Sequence, residues 1–119
     1  MRAEFIETKS RPLRPRRTVA DRVRDALQHL AAYQSNLLGH TETPWASITF
    51  AGSRHELRLE FCGITACKAG EEFIAALPDH EFAIPGQLVA DATISAVESC
   101  YTPEPRMVVT ATLLLLEDA

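Results

Sequence analysis

Residues 45–61 read WASITFAGSRHELRLEF, and their alternation decides the fold class. Gly52-Ser53 suits a two-residue hairpin turn, because glycine takes a positive φ without steric cost. With that turn, Phe50 is expected opposite His55, Ile48 opposite Leu57 and Ala46 opposite Leu59. Thr49 then meets Glu56, Ser47 meets Arg58 and Trp45 meets Glu60. One face is apolar and the other polar, the pattern of a hairpin with a single buried face.

Working toward the N-terminus, Val19, Val23, Ala26, Leu27, Leu30, Tyr33, Leu37 and Leu38 recur at three- and four-residue spacing. Asp21, Arg22, Arg24, Asp25, Gln28 and His29 fill the other side. This is the stripe of an amphipathic helix. Thr18 followed three positions later by Asp21 resembles a capping box, and Gly39 is the expected C-terminal stop. Toward the C-terminus, Cys67, Gly70, Phe73, Ile74 and Leu77 give a second helical stripe, which Pro78 ends.

Leu88–Tyr101 and Arg106–Glu117 then form a longer hairpin across Thr102-Pro103-Glu104-Pro105. A four-residue loop pairs Ala96 with Ala111, Ile94 with Leu113 and Ala92 with Leu115, a compact core face. The reverse face is expected to hold Val89, Val97, Val108, Leu114, Leu116 and Tyr101 among threonine and serine. Ala3–Thr8 is expected as a short first strand.

The element order is (β)αββαββ. Two helices on one face of an antiparallel sheet, an α+β two-layer sandwich, is the simplest way to bury two stripes and one apolar face. With the first strand included, the order is a ferredoxin-like variant. The alternative is a hot-dog fold, a curved sheet around one long helix, which two helices separated by a hairpin disfavour.

Charge divides the chain in two. Eight of the twelve basic residues lie within the first 24 positions, where only Glu4, Glu7 and Asp21 oppose them. That region carries +5, and the remainder, with four basic residues against thirteen acids, carries −9. Residues 1–17 are read as a basic arm, extended by Pro12 and Pro15, and 18–119 as one α+β domain. Arg11, Arg14, Arg16 and Arg17 are the candidate partner-binding residues, directed at an acidic protein partner or a sister subunit. Nucleic acid is the less favoured partner: the chain is acidic overall, and Arg54, Glu56, Arg58 and Glu60 place acids on the sheet face that would meet phosphate.

At 119 residues with 46% hydrophobic content, the chain can bury a core without staples. No segment reaches the roughly 18 apolar residues of a membrane helix, and nothing resembles a signal peptide. Three cysteines, Cys62, Cys67 and Cys100, without an export signal favour free thiols and a cytoplasmic setting.

No catalytic signature is present, so no catalytic residue is assigned and no cofactor or metal is expected. His55, Cys62 and Cys67 lack metal-site spacing. Glu71 and Glu72, with His80 or His55, would serve a thioesterase-like or other small-molecule enzyme only if they converged in a pocket. The favoured reading is a small interaction or accessory module. Val97, Val108, Leu114, Leu116 and Tyr101 are its candidate homodimer interface, since an uncovered apolar sheet face is most simply covered by a second copy.

Overall fold

A computed structural model describes residues 17–118. The arm residues Arg11, Arg14 and Arg16 and the expected strand over 3–8 lie outside the described residues. Helix α1 spans Val19–Leu30. The expected capping box closes its start. Thr18 Oγ1 accepts from the Asp21 amide at 3.1 Å, and the Asp21 carboxylate accepts from the Thr18 amide at 3.0 Å. Val23 and Leu27 are fully buried.

The helix stops eight residues earlier than its apolar spacing suggests. Ala32 and Tyr33 both adopt left-handed backbone, with φ of 56° and 57°. The Tyr33 amide donates to the Gln28 carbonyl at 2.8 Å, and the Ser35 hydroxyl donates to Gln28 Oε1 at 2.8 Å. The first bond satisfies one of the last carbonyls of α1, and the second holds the chain as it turns out of the helix. Leu37 and Leu38 therefore belong to a strand, and Gly39 lies at a register shift within it.

Strands β1 (Asn36–Ala46) and β2 (Ala51–Cys62) form the first hairpin. Its turn is Ser47–Phe50, not Gly52-Ser53. The Ser47 hydroxyl accepts from the Phe50 amide at 3.0 Å, and the Ser47 amide donates to the Phe50 carbonyl at 2.7 Å. Ala46 thus pairs with Ala51 and Trp45 with Gly52, and every expected cross-strand partner is displaced. A serine able to cap its own turn, together with an eleven-residue strand available before it, outweighs the glycine signal. The face assignment of β2 survives the shift: His55, Leu57, Leu59 and Phe61 are buried, with Arg54, Glu56 and Arg58 exposed on the other side.

Helix α2 spans Ile64–Ala76, starting after Gly63 at φ 95°. Ala66, Gly70 and Phe73 face the sheet, and a 3-10 turn at Leu77–Asp79 carries Pro78 and ends it. Gly70 lets the helix approach closely, since a Cβ there would stand 3.0 Å from the Phe61 ring.

Strands β3 (Gln87–Cys100) and β4 (Arg106–Glu117) complete an antiparallel sheet of order β1-β2-β4-β3. Both helices cover one face, so the fold is α+β with two helices packed on a four-stranded antiparallel sheet. The described order is αββαββ, and β2 and β4 hold the centre. A ferredoxin-like order would place the strand preceding α1 between β2 and β3, where β4 runs instead. The core joins Val23 and Leu27 of α1 and Phe73 of α2 to Leu57, Leu59, Phe61, Val109, Ala111, Leu113 and Leu115 of the central strands.

The second hairpin also departs from its expected register. Cys100 pairs with Arg106, and bulges fall between Val89 and Asp91 and between Ile94 and Ala96. Ile94 meets Ala111 and Ala92 meets Leu113, each two residues from its expected partner, so both keep the core face. An odd number of extra residues reverses the facing of every residue beyond the bulge. Val97 consequently lies opposite Val109 on the helix side of the sheet, not on the outer face.

Candidate functional site

Two features emerge that neither helix packing nor the sheet ladder requires. The first is a chain of polar side chains beneath α1. The capping residue Asp21 also pairs with Arg24, whose side chain points from α1 toward the sheet. Arg24 Nη1 lies 3.0 Å from His40 Nδ1 on β1. His40 Nε2 lies 2.8 Å from His55 Nδ1 on β2, and His55 Nε2 lies 2.8 Å from Ser53 Oγ. Glu42 stands farther off, 4.0 Å from His55 Nε2. Cross-strand pairing makes the constellation: His40 is opposite Leu57 and Glu42 opposite His55, all on the helix-facing side.

The direction of this chain follows from its first member. Guanidinium groups only donate. His40 Nδ1 must therefore accept, so His40 carries its proton on Nε2 and donates to His55 Nδ1. His55 in turn carries its proton on Nε2 and donates to Ser53 Oγ. A serine nucleophile requires the reverse, a histidine nitrogen that accepts from its hydroxyl. The arrangement is a donor relay ending on Ser53, and Ser53 gains no general base from it. Burial pushes the His55 imidazole below its ordinary value, against the pull of Glu42, and Arg24 adds to the lowering. Burial likewise lowers His40, reinforced by His55 and Arg24.

The second feature is apolar surface at the two ends of the sheet. At the end bearing the β1–β2 turn, Ile48 is fully exposed, and Phe50 and Leu88 are more than half exposed. A groove of about 470 Å³ is lined by Thr49, Phe50, Ala51, Leu88, Leu116, Glu117 and Asp118. At the other end, Ile64 and Tyr101 are exposed beside a groove of about 350 Å³ that also includes Cys67, Lys68, Glu71 and Pro105.

The residues expected to form one outer patch are thus divided. Leu114 and Leu116 lie on the outer face, half-buried, and Leu116 joins the first groove. Val108 is on the outer face but only 3% exposed, flanked by Glu60 and Glu98. Arg106 Nε donates to Glu60 at 2.6 Å beside it, which holds the Glu60 carboxyl below the usual range. Tyr101 belongs to the far end, and Val97 to the opposite face. Ile48 and Phe50, expected on the core face of the first hairpin, are exposed instead because the turn at Ser47–Phe50 carries them out of the paired strands.

The other candidates do not converge. Arg17 is ion-paired with Asp25 on α1. The His80 ring packs edge-on against Phe82, with centroids 4.6 Å apart, while Glu71 and Glu72 lie exposed on α2. Cys67 Sγ donates to the Phe61 carbonyl at 3.4 Å, and Cys62 is exposed at the end of β2. Among the described residues, no three histidine, cysteine or acidic side chains are grouped to hold a metal ion. No described helix is long and apolar enough to cross a membrane.

No family model and no curated protein matches the sequence. Among solved structures, the chain is similar in fold to a chain of the virion of a native gene transfer agent particle. The TM-score is 0.55 at 13% identity, covering 84% of this chain and 92% of that one.

Proposed function

We propose that this protein is an interaction module that self-associates through the apolar rim of its sheet, with a second copy as the partner. The observation that carries the reading is the exposure of Phe50 and Leu88 in one groove, with Ile48 exposed in the same β1–β2 turn as Phe50. Large apolar side chains gathered at one end of a sheet gain about 25 cal/mol for each Å² removed from water. A similarly folded chain belongs to a virion particle, which supports a role for such a sheet within an assembly. The basic arm, residues 1–17, would add a salt-sensitive contact to acidic surface on the neighbouring copy, because the chain beyond residue 24 carries −9. A homodimer is the simplest assembly. The two apolar ends of the sheet differ in composition, however, so contact between unlike ends would instead build rings or filaments.

Sedimentation of the full chain tests this. The wild type is expected to associate in the micromolar range, and Ile48→Ser combined with Phe50→Asp is expected to yield a folded monomer. A wild type that stays monomeric at about 100 μM, a concentration that detects interactions as weak as about −5 kcal/mol, refutes the proposal. So does a double variant that associates as the wild type does. Removing residues 1–16 is expected to weaken association and flatten its salt dependence. Steep, salt-dependent retention on heparin, lost in that truncation, would favour nucleic acid as the arm's partner instead.

A further inference from the structure

We infer that the Arg24–His40–His55–Ser53 chain is a proton-sensitive clamp that fastens α1 to the β1–β2 hairpin when both histidines are neutral and loses one of its hydrogen bonds, Arg24–His40 or His40–His55, when either gains a proton. The reason is a count of donors. Each contact in the chain has one hydrogen between its two heavy atoms, and the permanently charged Arg24 fixes the order from one end.

An added proton has no place in this order. Protonated His55 carries hydrogens on both ring nitrogens, so its Nδ1–H faces the Nε2–H of His40 across 2.8 Å. His40 can relieve that clash only by moving its own hydrogen to Nδ1, which then faces the Arg24 N–H across 3.0 Å. Protonating His40 creates the second clash directly. One of the two contacts joining α1, β1 and β2 must therefore break.

The surroundings give little compensation. From α1 the facing charged groups are Asp21, already bound to Arg24, and Arg24 itself. From β1 there is Glu42, 4.0 Å from His55, and from β2 only the Ser53 hydroxyl. From β4 the neighbours are Leu113 and Leu115, paired with His55 and Ser53. Glu42 is the sole acid among the described residues placed to receive an imidazolium, and it reaches His55 Nε2, the nitrogen that is not part of the conflict.

The sign of the pH effect is set by the direction of both shifts. Both histidines titrate below 6.5 in the folded chain and near it when unfolded. The clamp's stabilisation is fully present above pH 6.5 and is lost as pH falls toward the folded values, because the unfolded chain takes up the protons. Each histidine reduces the folding constant by at most about tenfold per pH unit within that window, and the pair together by at most about a hundredfold per pH unit.

Nitrogen-15 NMR of the imidazoles in the full chain tests the order directly. At about pH 7.5 both His40 and His55 are expected as Nε2–H tautomers, and the urea midpoint is expected to fall as the pH drops below about 6.5. In Arg24→Met, which removes the fixed donor, the two histidines are expected to titrate higher and the pH dependence of the midpoint to shrink. An Nδ1–H tautomer at His55, a folded-state titration of either ring at or above 6.5, or an unchanged pH dependence in Arg24→Met overturns the inference. Should the variant fail to fold, the wild-type tautomers and titrations still decide it.

Discussion

Substituting Gly52 by alanine tests how the exposed turn is held against the sheet. Gly52 opens β2 just after the turn that presents Ile48 and Phe50, and it pairs with Trp45 on one side and Leu116 on the other. A Cβ at this position would stand 1.9 Å from the Leu115 carbonyl oxygen, whereas ordinary contact starts at 3.4 Å. The two backbones would have to separate by about 1.5 Å, and a backbone hydrogen bond of normal length does not survive that. Losing one or two ladder bonds costs about 1 kcal/mol each. Overpacking against a backbone that cannot rotate aside adds roughly 1–3 kcal/mol. A total of about 2–5 kcal/mol is expected, read as a fall in the urea midpoint with unchanged m-value. Gly70→Ala is the control. Its Cβ meets the Phe61 ring at 3.0 Å and the Met107 sulfur at 3.2 Å, side chains that can yield, and alanine favours helix by about 1 kcal/mol. A Gly52→Ala loss below about 0.5 kcal/mol, or one smaller than that of Gly70→Ala, would refute the claim that β2 and β4 approach too closely at Gly52 to admit a side chain.

Further outcomes rest on individual contacts. Leu113→Ala, at a fully buried position in the central strand, is expected to lose about 2–5 kcal/mol by chemical denaturation. Thr18→Ala removes the capping hydroxyl and should cost about 1 kcal/mol, measurable as a lower melting temperature. Arg106→Ala breaks a partly exposed pair and should change stability by no more than about 1 kcal/mol, with the difference shrinking in high salt. Val97→Asp and Val108→Asp separate the two sheet faces. The half-exposed Val97 should tolerate the carboxylate with a loss within about 1 kcal/mol, whereas at the buried Val108 an unpaired charge should cost several.

What the sequence made legible is what short-range patterning controls. The Thr18–Asp21 box, the α2 stripe through Gly70, Phe73 and Leu77, and the alternation of β2 depend on a few adjacent residues, and each is present in the fold. Register depends on competition between distant possibilities. At the first hairpin, Gly52-Ser53 is the better turn by composition, but the Ser47–Phe50 turn allows β1 to pair along its whole length with β2. At the second, two bulges shift β3 without altering a residue of the pattern, which is why Val97 changes face while Ile94 and Ala92 do not. Bulges leave little trace in one sequence, because the extra residue needs no special side chain when its backbone stays near the helical region.

The hidden histidine pair traces to one local event, the end of α1. Extending the helical stripe through Leu37 and Leu38 to Gly39 places His40 just past a helix, with nothing to bring it near His55. The helix ends instead where Ala32 and Tyr33 turn left-handed, a conformation neither residue type favours. Each such residue costs about 1–3 kcal/mol, so the surrounding contacts must exceed that cost. Gln28 supplies some of them, bonding Ser35 through its side chain and Tyr33 through its carbonyl. Burial supplies more. Continuing the helix would leave β2 an unprotected edge beside the core, whereas β1 pairs with it from Asn36 to Ala46. Once β1 exists, alternation on either side of the Gly39 shift places His40 on the helix-facing side next to His55, within reach of Arg24. By the helix dipole alone Arg24 is misplaced, a cation near the first turn of α1. Its position becomes intelligible as the fixed donor of the relay, held by Asp21 on one side and bonded to His40 on the other.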